Sequence, residues 1–294
     1  MHAYLIIAHT DLYCLERLIK MLDDERNDIF LLIDKKSKIN IDFTTQKSRL
    51  YEVPRINIYW GDVSQVKAEL HLMQFATQKG NYEYYHLLSG QDLPIKTQNY
   101  IHNFFDSLPK GANLVDFTKE KNREENIRNR TQYYTFFTKK NRVKNIRIKK
   151  FYDRMRGYGW AIQRRINRPR KFPYSKMEKG ANWFSLTEEC ITFLLSRKKI
   201  IMKYFSFMKC SDEVFIQTEL YNNNYFRNTL INQNKEFGGC FREIDWERGG
   251  PYVWRMNDFN QLMTSKNLFA RKFSSVTDKE IIDLIYSTVT NIKD

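Results

Sequence analysis

The chain has 294 residues, of which 49 are Lys or Arg and 34 Asp or Glu, for a formal charge of +15. A hydrophobic content of 42% with 15% aromatics excludes general disorder and leaves enough apolar side chain for one large domain or two small ones. A mean hydropathy of -0.62 and the lack of any apolar run of about 18 residues exclude a transmembrane helix.

The first 118 residues alternate short apolar runs with amphipathic stretches. Residues 4–8 predict a strand, and a helix follows with Leu12, Leu15, Leu18, Ile19 and Leu22 at helical spacing. Without a basic leader region or a small-residue cleavage site before it, that strand is expected to open the mature protein. Residues 29–33, 56–59, 84–88 and 113–117 predict four more strands. Helices carrying Val66, Leu70, Met73 and Ala76, and later Ile101, Phe104 and Phe105, fall between them. This order implies an α/β fold, a mostly parallel sheet flanked by helices, whose ligand edge lies at the strand carboxyl ends. His9, Thr10, Asp34, Trp60, Gly61, Gln91 and Asp92 occupy the turns there. Each alone suits a solvated turn; together they suggest a site.

Residues 139–171 hold 14 Lys and Arg against a single acid, Asp153, so the remainder of the chain carries only about +2. Phe151, Tyr152, Tyr158 and Trp160 are interleaved with these cations, and Phe136 and Phe137 precede them. Three readings stay open for this segment: a solvated helical pair lining an acceptor cleft, an element lying on an anionic membrane, or a nucleic-acid surface. No recognisable nucleic-acid fold signature accompanies it, so nucleic acid is not the expected partner.

Beyond it, residues 182–186 predict a strand and 188–195 a helix. Ser211-Asp212-Glu213 opens a further helix, strands are expected at 241–246 and 252–254, and two terminal helices flank Phe269-Ala270-Arg271-Lys272-Phe273. At a helix start, Asp212 and Glu213 could simply cap free N–H groups, or one of them could project into a cleft and accept a proton. Cys14, Cys190, Cys210 and Cys240 have no C-x-x-C spacing, which favours a reducing cytoplasm over a disulfide or zinc scaffold. The five histidines lack ligand-like spacing. Walker, dinucleotide, nucleophile-elbow and zincin motifs are all missing, as is any Asp-x-Asp turn. The closest acidic run is Glu243-Ile244-Asp245-Trp246-Glu247. Handling a diphosphate without a metal would call for cations, and Arg248 and Lys272 are candidates.

Several stretches together resemble the core-2/I-branching N-acetylglucosaminyltransferase family, which includes peptide O-xylosyltransferases. They are His2-Ala3-Tyr4-Leu5-Ile6-Ile7-Ala8-His9, Ile33-Asp34-Lys35-Lys36-Ser37, Trp60-Gly61, and Tyr84 to Lys96 with its specific Ser89-Gly90-Gln91-Asp92-Leu93-Pro94-Ile95 run. Asn182-Trp183-Phe184, Ser211-Asp212-Glu213 and Phe269 to Phe273 complete the set in the family's order. The resemblance implies a glycosyltransferase A-type fold in a single domain: a nucleotide-binding half over 1–118, a basic helical insertion over 119–178 and an acceptor and catalytic half over 179–294. It further implies a UDP-sugar co-substrate carrying N-acetylglucosamine or xylose, a glycan or lipid-linked acceptor, inversion at the anomeric carbon, and no divalent metal or other cofactor. By similarity Glu213 is the catalytic base. His9, Asp34, Trp60, Lys272 and Arg248, with Arg242 as the alternative arginine, hold the donor nucleotide, and Gln91, Asp92, Asn182, Trp183 and Asp212 line the substrate pocket. A bacterial member building surface polysaccharide at the inner face of the plasma membrane is the expected setting. A nucleic-acid-binding or non-catalytic carbohydrate-binding protein using residues 139–171 is the alternative.

Overall fold

A computed structural model describes residues 1–118, 122–231 and 239–291; residues 119–121 of the expected insertion lie outside the described residues. Its strands are β1 (His2–Ala8), β2 (Asn27–Ile33), β3 (Arg49–Val53), β4 (Tyr84–Ser89), β5 (Asp92–Pro94), β6 (Leu114–Val115), β7 (Phe184–Thr187), β8 (Arg242–Ile244) and β9 (Phe269–Arg271). Six form the central sheet in the order β3-β2-β1-β4-β7-β6, and β5-β9-β8 form a small second sheet. β1, β2, β3 and β4 pair in parallel, while β7 is antiparallel to both of its neighbours. The mostly parallel α/β architecture expected from the sequence is therefore present.

The parallel strands are buried on both faces, which is why they appear as near-continuous apolar runs. Successive side chains of β1 and β2 point to opposite faces and feed two separate cores. Leu5, Phe30 and Leu32 pack with helices Ser64–Thr77, Glu188–Ser196 and Phe215–Tyr221. Tyr4, Ile6, Ile29 and Leu31 pack with Leu12–Met21, Gln98–Asp106 and Lys279–Asn291. His2, His86 and His102 cluster within the second core, where burial lowers all three imidazole pKa values. They are packing residues, as their spacing suggested.

Two expected strands are absent. The third strand of the sheet is Arg49–Val53, ending just before Pro54, and residues 56–59 run instead as irregular chain against the turn after β2. There Lys35 N–H donates to the Ile56 carbonyl at 2.9 Å and Ile58 N–H to Asp34 Oδ1 at 3.3 Å. An apolar alternation that predicts a strand is here consumed in shaping a loop. Residues 252–254 likewise form no strand; Trp254 N–H donates to the Lys272 carbonyl and Lys272 N–H to that of Tyr252. Conversely β5 and β9, too short for periodicity to reveal, pair Asp92 with Arg271 and bring the Gln91 turn against Lys272. All four cysteines are buried and free, and among the described residues no helix is long and apolar enough to cross a membrane.

Candidate active site

Strand order fixes where a ligand belongs. β2 and β3 lie to one side of β1 and β4 to the other, so the chain reverses its winding between β1 and β4, and the crevice beyond their carboxyl ends is the natural site in such a sheet. A cleft of about 530 Å³ opens there, within the range of small-molecule sites. His9 after β1, Asp34 after β2, and Gly90 and Gln91 after β4 line it, joined by Trp60, Asn182, Trp183, Asp212, Glu213 and Lys272. Gly90 sits where backbones meet closely: an added Cβ would lie 3.0 Å from that of Ala8.

On one wall, Asp34 is buried and ion-paired with Lys36 at 2.6 Å, while Lys36 also donates to the Ile58 carbonyl and lies over the Tyr59 ring. The partly exposed Trp60 has the Arg142 guanidinium 4.2 Å from its ring centre. Gly61 follows at φ +67°, a left-handed conformation that favours glycine, and its carbonyl accepts from Cys210 N–H at 3.0 Å. That bond ties the Trp60 loop directly to the segment bearing Asp212 and Glu213.

Ser211–Glu213 is a single 3-10 turn preceded by Cys210 at its cap, and the helix Phe215–Tyr221 that follows is capped at Val214, so neither acid stands at a helix cap position. Glu213 is one-third exposed and its Oε2 accepts from Arg130 at 2.7 Å, with Lys179 at 3.9 Å from the same oxygen. Gly180 N–H donates to the Glu213 carbonyl at 3.0 Å, and a Cβ at Gly180 would lie 1.8 Å from the Asp116 carbonyl oxygen, so the backbone beside Glu213 is clamped. Asp212 is buried, accepts from Gln65 at 3.0 Å and neighbours the buried Glu69; burial first, then the Glu213 charge, pushes its pKa up to about 7.

That shift has a testable sign. A carboxyl whose folded pKa is raised favours the native state below its unfolded pKa and loses that advantage as pH rises through about 7. Asp212→Asn is therefore expected to leave stability unchanged near pH 4 and to raise it at pH 8 by as much as about 4 kcal/mol, at about 1.4 kcal/mol per pKa unit. Urea midpoints of both proteins at the two pH values check this; equal differences at both would contradict it.

Lys272 also lines the cleft, is half-buried and, among the described residues, makes no ion pair. Burial, then Arg271 and Arg142, lower its pKa. Gln91 holds this strand end through reciprocal bonds with Phe273 at 2.9 and 3.2 Å. Asp92 does not line the cleft: it is buried, accepts from Ser89, and pairs with Arg271 at 3.3 Å. Arg271 lies 4.0 Å from the Trp183 ring centre and reaches the cleft itself.

Neither arginine expected at the diphosphate faces the cleft. Arg248 pairs with Asp245 and, at 2.7 Å, with Asp258, and lies over the Tyr252 ring. Arg242 is buried and donates to the carbonyls of Leu87, Phe184 and Cys240 and to Ser185 Oγ. Both are consumed by internal partners that lie far away in sequence or across a turn. Arg271, adjacent to Lys272 in the quoted motif, stands where a second cation was sought. Gln65, Lys139 and Arg142 also line the cleft and Arg130 pairs with Glu213; Lys139 and Arg142 fall inside the basic segment 139–171, and no pattern in the sequence singles out Arg130 or Gln65. In the acidic run, Glu243 accepts from Ser265 and Asn267 at 2.6 Å each. Among the described residues no group of three or more His, Cys, Asp or Glu side chains is gathered for a metal ion.

Fold and cleft together define an α/β protein with a cation-lined cleft at the carboxyl edge of its parallel strands. The chain belongs to the Core-2/I-Branching enzyme family, whose sequence model matches residues 2–266 and so stops short of Arg271 and Lys272. It is 24% identical over 217 residues to beta-glucuronosyltransferase GlcAT14B of Arabidopsis thaliana, covering 71% of this chain and 44% of that protein. Identity to xylosyltransferase 2 of Rattus norvegicus is 21% over 308 residues, 96% of this chain and 33% of the relative. The chain thus spans less than half the length of these curated relatives. Among solved structures, mouse xyloside xylosyltransferase 1 in its apo form superposes with a TM-score of 0.39 at 10% identity, over 92% of this chain and 97% of that one.

Proposed function

We propose that this chain is a metal-independent, inverting glycosyltransferase of the glycosyltransferase A type, moving a sugar from a UDP-sugar to a hydroxyl of a glycan acceptor. The observation that carries the reading is Lys272, a half-buried cation with no acid paired to it among the described residues, in a cleft shared with Arg271, Arg142 and Glu213. A lysine in that setting favours an anionic ligand, and a diphosphate that gains charge as it leaves is stabilised most where cations are already fixed. The family's glycosyltransferase relatives supply the substrate class.

In this reading Asp34 and Trp60 hold the nucleoside, and His9, Lys272 and Arg271 face the diphosphate, Arg271 taking the part first sought at Arg248. Gln91, Asn182, Trp183 and Asp212 shape the sugar and acceptor side. The Glu213 carboxylate, steadied by Arg130 on Oε2, takes the proton of the acceptor hydroxyl as that oxygen attacks the sugar C1 and the C1–O bond to the diphosphate breaks. A single displacement of this kind inverts the anomeric centre. N-acetylglucosamine and xylose are the favoured donors, with glucuronic acid added by the relatives' names. Four buried free thiols support a reducing compartment.

Screening UDP-sugars for thermal stabilisation and UDP release in excess chelator tests the proposal. At 100 times its dissociation constant a donor should add about 2.7 kcal/mol, and UDP release should persist without metal. Loss of all turnover in chelator, restored by Mn²⁺, would contradict the metal-free mechanism; stabilisation by no nucleotide sugar would contradict the donor class.

A further inference from the structure

The helix Ile146–Ile166 occupies most of the basic segment, and none of its 21 residues is buried. Its side chains sort into three faces. Tyr152, Arg156, Gly159, Trp160 and Gln163 are half-buried. This face docks the helix on the body: Gln163 exchanges hydrogen bonds with the Tyr134 backbone at 2.8 and 2.9 Å, and Arg156 donates to the Phe137 carbonyl at 3.3 Å.

A second face carries Ile148, Phe151, Met155, Tyr158, Ile162 and Ile166, all exposed, four of them by about 60%. At the helical repeat these six fall within an arc of about 80°, a continuous apolar stripe about 30 Å long. The third face, along the stripe's free edge, is basic and exposed: Arg147, Lys150, Arg154, Arg164 and Arg165. Large apolar side chains left in water along a whole helix mark an interaction surface.

We propose that this stripe is a docking face for an anionic lipid bilayer, the apolar side chains entering the boundary between headgroups and acyl chains while the arginines and lysine meet lipid phosphates. Charge complementarity selects this occupant. A second copy of the chain would bring two arginine-rich edges together, a like-charge contact that opposes pairing. A nucleic-acid backbone would satisfy the cations but not a row of Ile, Met and Phe, whereas an amphipathic interfacial helix has this combination of one basic edge and one apolar face. The helix follows closely on Arg142, which stands over Trp60 in the cleft, so docking would hold the Trp60 wall of the cleft near the leaflet.

Sedimentation of the full chain with phosphatidylcholine vesicles, and with vesicles containing about a third phosphatidylglycerol, tests the face directly. Binding to the anionic vesicles is expected to be at least about 10-fold tighter. The triple variant Phe151→Ser, Met155→Ser, Ile162→Ser should lose about 10-fold or more of it, with helicity and uridine diphosphate binding unchanged. Lys150→Glu with Arg154→Glu should weaken binding and its salt sensitivity while the apolar stripe is intact. Equal binding to both vesicles, or an apolar variant that binds as wild type, would overturn the proposal. So would a concentration-dependent dimer abolished by the apolar variant, or displacement from vesicles by oligonucleotide.

Discussion

Glu213→Gln is expected to cut turnover by about 10²- to 10⁴-fold while leaving affinity for uridine diphosphate within about threefold. The amide keeps the shape of the carboxylate and an oxygen for Arg130, so the turn at Ser211–Glu213 retains its anchor, and the lost charge pair should cost no more than about 1 kcal/mol. What the amide cannot do is accept the acceptor's proton. That separation is what a proton-abstracting role demands: an interaction made in the transition state is removed, and ground-state binding of the donor is not. Steady-state kinetics with titration of the diphosphate reads both quantities. Near-wild-type turnover would take Glu213 out of the role; a parallel collapse of diphosphate affinity would make it a structural residue of the cleft.

Lys272→Met is the second large effect. The variant keeps the apolar stem and removes the charge, from a position where burial and two arginines already disfavour it. A cation held there against its neighbours is stabilised by an arriving dianion, so the diphosphate and Lys272 should support one another. Removing one such preorganised contact typically costs about 10²- to 10³-fold in rate, and here binding of uridine diphosphate should weaken as well. The pH dependence has a definite sign: because the free lysine's pKa is lowered, diphosphate affinity should fall on the alkaline side as Lys272 loses its proton, and the variant should lack that limb. Calorimetric titrations of wild type and variant across alkaline pH check both points, and identical profiles would contradict them.

Much of this was legible in the sequence because the parallel strands are buried on both faces and announce themselves as apolar runs. The turns after β1, β2 and β4 could be placed from that alone, and with them His9, Asp34 and Gln91. What failed is equally physical. Residues 56–59 have a strand's pattern, yet their backbone groups bond to the Asp34 turn. β5 and β9 span three residues each, too few for any period, so the pairing that sets Asp92 against Arg271 was invisible. Arg248 and Arg242 rest on charge and on the family resemblance, and neither says anything about direction; their partners Asp258, Phe184 and Ser185 arrive through the fold. Lys139 and Arg142 were hidden inside a run of cations that has two destinations. Its first residues turn into the cleft, and its helix turns outward.

The structure of the chain with uridine diphosphate bound bears most directly on the claim that this cleft carries the leaving diphosphate on its own cations. The β-phosphate is expected within hydrogen-bond distance of Lys272 Nζ, with the guanidinium of Arg271 alongside and the base against Asp34 and Trp60. A diphosphate bound instead through a metal ion at Glu243, Asp245 and Glu247, or lying outside this cleft, would contradict it.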